Sequence, residues 1–181
     1  MSLNSIPLTL TDIPVGKTVT VKVPASSANL GPGYDTLGLA LGYYDELTVE
    51  RISEGLEFDL SGEGSDTVPR NENHLVVRSM RVVFEKVGLD EFPALRLTAH
   101  NRIPHSRGMG SSASAIVAGV AAASALLPEY ARLSRDQIFQ IASDVEGHPD
   151  NVAPSVYGSL SISWGELGDW QSLIVPVHPT I

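Results

Sequence analysis

One segment strongly limits the folds that this chain can adopt. It comprises residues 104–127, PHSRGMGSSASAIVAGVAAASALL, in which a loop of glycine and serine runs directly into an uncharged, alanine-rich segment. The segment at 113–127 carries no charge and has Gly119 in its interior. Its length of about 15 residues is short of the roughly 20 that a membrane span needs. We therefore predict a helix buried inside the protein, packed closely against a sheet and ended by Pro128 and Glu129.

The loop ahead of this helix has the composition of an anion-binding site. Gly108 and Gly110 allow backbone conformations that are closed to other residues, and Ser111 and Ser112 are candidates to cap the helix. A helix start leaves about four N–H groups unpaired and carries roughly half a positive charge, so it attracts phosphate. The alternative is an ordinary glycine-bent entry into a core helix. The density of small hydrogen-bonding residues within 106–114 favours the phosphate site.

Composition excludes several classes of function. The chain has 181 residues and 43% apolar residues, which is typical of one globular domain. Its net charge of -9 argues against nucleic acid as a partner. The same field repels a nucleoside triphosphate, so a phosphate site must act locally, through N–H groups, a metal ion and a few side chains such as Arg107. Because the chain has no cysteine, disulfides, thiolate metal sites and a cysteine nucleophile are excluded.

The N-terminal residues do not have the pattern of a signal peptide. Residues 1–16 lack both a basic start and a continuous apolar segment. We expect a cytoplasmic protein without membrane attachment. At the other end, residues 173–181 resemble the beginning of further structure, so a second domain is expected to be missing.

Alternating hydrophobicity predicts several strands. Residues 18–23 alternate strictly and predict a half-buried strand. Further strands are predicted near 44–52, 56–60 and 94–99. Between the first two strands, residues 24–42 are rich in glycine and proline and are predicted to form a tightly bent, semi-buried segment instead of a regular element. After residue 154, one more strand is predicted, with 173–177 beside it, and its shared face comprises Val156, Gly158, Leu160, Ile162 and Trp164.

Two further helices are predicted from capping signals. Asn73 can cap a helix that runs to about Val87. Ser134 and Gln137 form a capping-box pattern that opens another helix, and Gly147 ends it. The loop that follows, at 147–154, is stiffened by two prolines.

Polar residues in the bent segments are candidate functional groups. Asn29 and Asp35 lie within 24–42, where either could simply hold a turn. Glu146 lies in the last turn of its helix and faces the negative end of the helix dipole, a position that a bound cation would make favourable and that an exposed glutamate would tolerate. The loop after it adds three more candidates: His148, Asp150 and Asn151.

Two common nucleotide-binding patterns fit poorly. The P-loop form GxxxxGK[ST] is absent. Gly108, Gly110 and Ala113 match the relaxed dinucleotide pattern GxGxxA. That pattern also needs a second parallel strand after the helix, and here Pro128, Glu129 and another helix follow.

The chain resembles a known family in three segments. The phosphate loop of the GHMP kinases, PxxxGLGSSA, is similar to residues 104–114, PHSRGMGSSAS. These small-molecule kinases include galactokinase, homoserine kinase and mevalonate kinase. The first and third conserved segments of the homoserine kinase branch resemble residues 24–41, PASSANLGPGYDTLGLAL, and residues 146–158, EGHPDNVAPSVYG. Met109 stands in place of the usual leucine, and the interval from Glu146 to His148 is shorter than in some homoserine kinases.

The resemblance implies a fold. It is an α+β N-terminal domain of the ribosomal protein S5 domain 2-like type, a mixed sheet with packed helices, followed in the family by a second α+β domain. Residues 1–181 would then be the ATP-binding N-terminal domain, with little or none of the second.

The resemblance also implies an ATP-dependent kinase that phosphorylates the hydroxyl of L-homoserine in threonine biosynthesis, with Mg²⁺ as cofactor. The residues wrapping the ATP phosphates would be Pro104, His105, Ser106, Arg107, Gly108, Met109, Gly110, Ser111, Ser112, Ala113 and Ser114, with Asn73 near the adenine. Ser112 and Glu146 would hold Mg²⁺. The amino acid would be bound by Asn29, by Asp35, which suits its ammonium group, and on the acceptor side by His148 and Asn151.

The resemblance leaves some roles open. Glu146, Asp150 and Asn151 would be the catalytic residues. Asp150 would either accept the hydroxyl proton or be structural, and the structural role is favoured. Another GHMP kinase acting on a different small alcohol is the nearest alternative, and a non-catalytic ATP-binding fragment is the second. No nucleic acid or membrane partner is expected, and a homodimer is possible.

Overall fold

Two long consecutive strands form the centre of the structure, a computed structural model that describes residues 8–89 and 91–178. The strands are β1 (Thr18–Leu30), β2 (Gly33–Arg51), β3 (Leu56–Gly62), β4 (Leu95–Asn101), β5 (Leu160–Glu166) and β6 (Asp169–Val175). The α-helices are α1 (Leu75–Lys86), α2 (Ser111–Leu126), α3 (Arg135–Glu146) and α4 (Val152–Tyr157), with short 3₁₀ turns at Leu10–Asp12 and Glu129–Ala131. Residues 1–7 and 179–181, which belong to the terminal segments interpreted above, lie outside the described residues.

The sheet is mixed, which confirms the predicted α+β class. One edge of β2 pairs with β1 along most of its length. Its other edge pairs with β4 near one end and with β5 near the other. These pairs are antiparallel, as is β5 with β6, whereas β3 and β4 are parallel. The predicted strands at 18–23, 44–52, 56–60 and 94–99 are confirmed within longer elements.

The prediction of an irregular segment at 24–42 is wrong. These residues continue β1 and begin β2, and only the turn around Gly31 interrupts them. The pairing slips between Pro24 and Ser26 and again between Ala28 and Leu30. Such bulges insert an unpaired residue and bend the strand, so a sequence rich in proline and glycine can still pair along its backbone.

The predicted buried helix is confirmed as α2, and most of its residues are inaccessible to solvent. It packs against β1, α1 and α3. The close approach at Gly119 is to helix α1: a Cβ at this position would lie 2.7 Å from the Val76 carbonyl oxygen and 2.9 Å from Ser79 Cβ. Any larger residue would force the two helices apart.

The helix starts differ in part from the capping predictions. Neither Ser111 nor Ser112 caps α2, because Gly110 occupies the N-cap in the left-handed region, at φ 66° and ψ 29°. The prediction of Asn73 as the cap of α1 is also wrong, since the N-cap is His74. The capping box of α3 is confirmed: Ser134 Oγ accepts from the Gln137 N–H and Gln137 Oε1 accepts from the Ser134 N–H.

The region after α3 is also more helical than predicted. The loop predicted at 147–154 ends early, because α4 begins at Val152. Pro154 fits in its first turn, where a missing N–H costs no helical bond. The strand then starts at Leu160, so Val156 and Gly158 are not part of it.

In strand β5 the serines are more buried than the apolar residues that alternate with them. Ser161 and Ser163 are buried, while Trp164 is 52% exposed. The two buried hydroxyls find partners, as Ser161 Oγ donates to the Gly38 carbonyl and Ser163 Oγ donates to Ser172 Oγ. Small hydroxyl side chains with satisfied hydrogen bonds can therefore occupy the inner face.

Candidate functional site

The glycine- and serine-rich loop between β4 and α2 has an unusual backbone. Ser106, Gly108 and Gly110 all have positive φ, at 56°, 71° and 66°. Every second residue of the loop is thus in the left-handed region. This alternation is the arrangement from which anion-binding nests of backbone N–H groups are built. A serine in this region is strained, and such strain is concentrated at functional sites.

Ser26 and Asn151 hold the end of this loop. The Ser26 N–H donates to the Met109 carbonyl at 3.1 Å, and Ser26 Oγ lies 3.0 Å from Asn151 Oδ1. A Cβ on Gly110 would lie 2.2 Å from Ser26 Oγ and 2.9 Å from Asn151 Oδ1. The structure therefore places the Asn151 side chain directly against the point where the loop enters α2.

Asp45 holds the beginning of the loop. Its Oδ1 accepts hydrogen bonds from the N–H groups of Arg102 at 2.6 Å and Ile103 at 2.9 Å. Burial raises the pKa of the Asp45 carboxyl above its ordinary value, and these two N–H donors oppose the shift. The loop is thus fixed at both ends by residues of the central strands, through the Asp45 side chain at its beginning and the Ser26 N–H at its end.

The two predicted metal ligands are in direct contact. Ser112, in the first turn of α2, donates through Oγ to Glu146 Oε2 at 2.9 Å. Glu146 is the last residue of α3, so the start of one helix meets the end of the other. One hydroxyl and one carboxylate suit Mg²⁺, which is commonly bound by one or two carboxylates together with substrate phosphates and water. Within 8–89 and 91–178, no cluster of three or more His, Cys, Asp or Glu residues could bind a metal.

The remaining polar candidates form one hydrogen-bonded group around Asp150, which is 0% exposed. Its Oδ1 lies 2.5 Å from His148 Nδ1 and accepts from the Asn151 N–H at 2.8 Å. Its Oδ2 accepts from Asn29 Nδ2 at 3.3 Å. Asn29 Oδ1 in turn accepts from the Asp35 N–H at 3.1 Å. Asp150 therefore links the residues of the third segment to those of the first.

Asn29 and Asp35 share a second property. Both have positive φ, at 57° and 52°. Asparagine and aspartate tolerate this region better than most residues, and the bond between them stabilises it here. Both residues are exposed, and the Asp35 carboxylate forms no hydrogen bond or ion pair with any described residue. An exposed carboxylate without a partner among the described residues can bind a cationic group.

A cavity of about 310 Å³ lies beside the start of α2. Ser106, Ser111 and Ser112 line its loop side, and Asn73 lines another wall. Its apolar walls are formed by Leu47, Val68, Pro69, Leu75, Val76, Ala99, Ala115 and Ala118. The apolar walls and the polar loop side of the cavity suit a ligand that has a flat apolar ring attached to a phosphorylated chain.

Some loop residues have side-chain contacts of their own. The His105 ring packs against Gly64, where a Cβ would lie 2.1 Å from the ring. Arg107 is exposed and donates to the carbonyl of its neighbour Ser106 at 3.3 Å.

Three residues of the site were missed in the sequence: Ser26, Asp45 and His74. Ser26 lies within the first resembling segment but is one of several serines there. Asp45 lies inside a strand, where no local pattern marks a loop anchor. His74 directly follows Asn73 in the sequence. Only the folded structure shows that His74 is the buried residue of the two.

The chain is similar in sequence to proteins of known family. The family model for the GHMP kinases N terminal domain matches residues 74–159. A homoserine kinase from Corynebacterium kroppenstedtii is 51% identical over 177 residues, which cover 94% of this chain and 56% of that protein.

The chain belongs to the GHMP kinase family.

Solved structures of GHMP kinases share the fold. The crystal structure of homoserine kinase from Cytophaga hutchinsonii has a TM-score of 0.76 and 26% identity, covering 89% of this chain and 52% of that one. Mevalonate kinase from Methanococcus jannaschii has a TM-score of 0.65 at 13% identity, covering 87% and 56% respectively. The chain spans a little over half the length of the curated relatives it matches. Among the residues that the structure describes, no helix combines the length and the apolar character that crossing a bilayer requires.

Proposed function

We propose that this chain acts as the N-terminal, ATP-binding domain of a homoserine kinase, which transfers the γ-phosphoryl group of ATP to the hydroxyl of L-homoserine. The main support for this proposal is the hydrogen bond between Ser112 and Glu146, which lies where the glycine- and serine-rich loop enters α2. Relatives named homoserine kinase at about half identity support the choice of substrate. The product, O-phospho-L-homoserine, places the reaction in threonine biosynthesis, with the cytoplasm as its compartment.

The loop and the start of α2 would bind the phosphates. Phosphoryl transfer requires neutralised charge and an in-line geometry more than covalent help from the protein. The N–H groups around Gly108 and Gly110 and the positive end of α2 supply fixed partial charges for this purpose. They act locally, which a chain of net charge -9 requires. The adjacent cavity would hold the adenine, with Asn73 on its wall.

Ser112 and Glu146 would bind Mg²⁺ together with the phosphate oxygens. The cation would neutralise the charge that develops on the transferred group. Glu146 lies at the negative end of the α3 dipole, where a carboxylate without a cation is disfavoured. The Ser112 hydroxyl already donates to that carboxylate, and it would turn its lone pairs toward a bound cation.

Asn29 and Asp35 would position the amino acid, with the Asp35 carboxylate bound to its ammonium group. In the transfer, the substrate hydroxyl oxygen forms a bond to the γ-phosphorus while the bond from that phosphorus to the bridging oxygen breaks, and ADP leaves with the electron pair. The hydroxyl proton passes to the transferred phosphoryl group. Orientation of the two reactants is the contribution that the protein makes to this step.

We assign Asp150 a positioning role instead of that of the proton acceptor. Its two oxygens are already occupied by His148, Asn151 and Asn29, and its side chain is 0% exposed. A general base must reach the proton that it removes. Asp150 instead fixes the geometry of Asn29 and thereby of Asp35.

A phosphotransfer assay over L-homoserine, mevalonate, galactose and shikimate tests the substrate. We expect ADP formation with homoserine alone, and activity on another of these alcohols would overturn the choice. Nucleotide binding is tested separately by unfolding the chain with and without Mg-ATP. At a ligand concentration of about 100 times Kd the gain is about 2.7 kcal/mol, and the absence of any gain would contradict an ATP-binding domain.

A further inference from the structure

His74 is the most enclosed titratable residue on the wall of the cavity beside α2. It is the N-cap residue of α1, it is 8% exposed, and its ring lies 5.3 Å from that of Phe58, centroid to centroid. Its Nδ1 is enclosed and has no hydrogen-bond partner among the described residues. Its Nε2 is not among the enclosed atoms and makes no hydrogen bond to any described residue. Nε2 is therefore the accessible nitrogen of a ring that lines the cavity.

A second enclosed polar atom without a partner lies on the wall of the same cavity. Ser114 is 0% exposed, and its Oγ makes no hydrogen bond within the part of the chain that the structure describes. It comes from helix α2, whereas His74 comes from the start of α1. Buried polar groups in native proteins normally have partners. Because both atoms are enclosed, a molecule in the cavity would contact the accessible Nε2 of His74 and not these two atoms.

The protonation state of His74 follows from its surroundings. Burial lowers the pKa of His74, so the ring is neutral at neutral pH. A neutral imidazole has one N–H donor and one bare nitrogen acceptor. A proton on Nδ1 would bury an N–H that has no acceptor, which is costly. The favoured tautomer has its proton on Nε2, the nitrogen that is not enclosed.

We propose that His74 recognises the nucleotide base, with its Nε2–H donating to a ring nitrogen of the adenine, and that it thereby contributes to nucleobase selectivity. This inference rests on the proposed function, because it takes the cavity to be the site of the ATP base. The apolar walls would contact the faces of the ring. His74 would form a hydrogen bond with the edge of the ring.

The test compares ATP with its 1-deaza, 3-deaza and 7-deaza analogues, each of which replaces one ring nitrogen by a carbon. Binding of each Mg-nucleotide is measured by calorimetry on the wild type and on His74→Leu. We expect one analogue to bind the wild type about tenfold more weakly than ATP, as expected for one lost hydrogen bond. We expect His74→Leu to bind ATP about tenfold more weakly and to bind that analogue as well as ATP.

Two further variants make the result specific. His100→Leu removes a histidine of β4 that bonds to Ser61 and does not line the cavity, so it should discriminate among the nucleotides as the wild type does. His74→Gln keeps an N–H donor of similar reach and should keep most of the discrimination. Thermal unfolding of each variant checks that the fold is intact.

The outcomes separate this inference from the proposed function. If the wild type binds ATP and all three analogues equally, His74 does not donate to the base, while the ATP site itself stands. The same conclusion follows if His74→Leu discriminates as the wild type does. If the wild type binds none of the nucleotides, both proposals are overturned.

Discussion

Gly110→Ala should damage both the fold and the phosphate loop, and more severely than Gly108→Ala. The two glycines have nearly the same backbone, with φ of 66° and 71°. They differ in their surroundings. A Cβ at 110 would lie 2.2 Å from Ser26 Oγ and 2.9 Å from Asn151 Oδ1, whereas a Cβ at 108 meets nothing within 4 Å.

The magnitude follows from two separate costs. An alanine in the left-handed region costs about 1–2 kcal/mol at either position. Overpacking adds typically 1–3 kcal/mol where the new methyl group meets well-packed atoms. Gly108→Ala should therefore lower the free energy of unfolding by about 1–2 kcal/mol, and Gly110→Ala by about 2–5 kcal/mol.

Urea unfolding of the three proteins measures these differences. A third variant, Gly110→Ala combined with Ser26→Ala, removes the atom that the new Cβ would meet first. Its destabilisation should be less than the sum of the two single changes. If Gly110→Ala lowers the free energy of unfolding no more than Gly108→Ala does, Ser26 and Asn151 do not pack against the loop as described.

Glu146→Gln in the complete kinase should lower turnover strongly and leave the unfolding temperature nearly unchanged, because it removes the carboxylate proposed for the cation. The assay is phosphotransfer over a range of Mg²⁺ concentrations, and an unchanged Mg²⁺ dependence would remove Glu146 from the metal site. For Asp45 the prediction concerns pH. Burial raises the pKa of the Asp45 carboxyl above the ordinary 3.8, so the folded state binds the carboxyl proton more tightly than the unfolded state does. The resulting stability is present below pH 3.8 and is lost as pH rises through the folded pKa. Asp45→Asn keeps an oxygen acceptor for Arg102 and Ile103 and cannot ionise. Its free energy of unfolding relative to the wild type, measured in urea, should therefore rise from acidic to neutral pH. A difference that is constant with pH would contradict this.

Some of the site was predictable because local sequence signals it. Ser134 and Gln137 cap α3 through bonds that span three residues, and Glu146 falls at the end of that helix because Gly147 terminates it. The uncharged composition of α2 requires burial wherever the helix lies. The resembling segments contained Asn29, Asp35 and Asp150, which the structure joins in one hydrogen-bonded group.

Other features depended on contacts that composition and short-range spacing do not signal. Residues 24–42 look irregular by themselves, yet residues 24–30 of β1 pair with residues 33–44 of β2, and bulges absorb the mismatch. The serines of β5 face inward because Gly38 and Ser172 lie within reach of their hydroxyls. Neither partner is adjacent in sequence to the residue it satisfies.

The sequence by itself determined the buried helix, the glycine-rich loop before it and the residue types available for phosphate, metal and amino-acid binding, since these follow from composition and short-range spacing. The tertiary structure decided which groups meet. Asp45 and Ser26 come from the central strands to hold the two ends of the loop, and Glu146 comes from the end of α3 to reach Ser112. Hydrogen bonds act over about 3 Å, so a contact between residues far apart in the chain exists only once folding has brought their elements together.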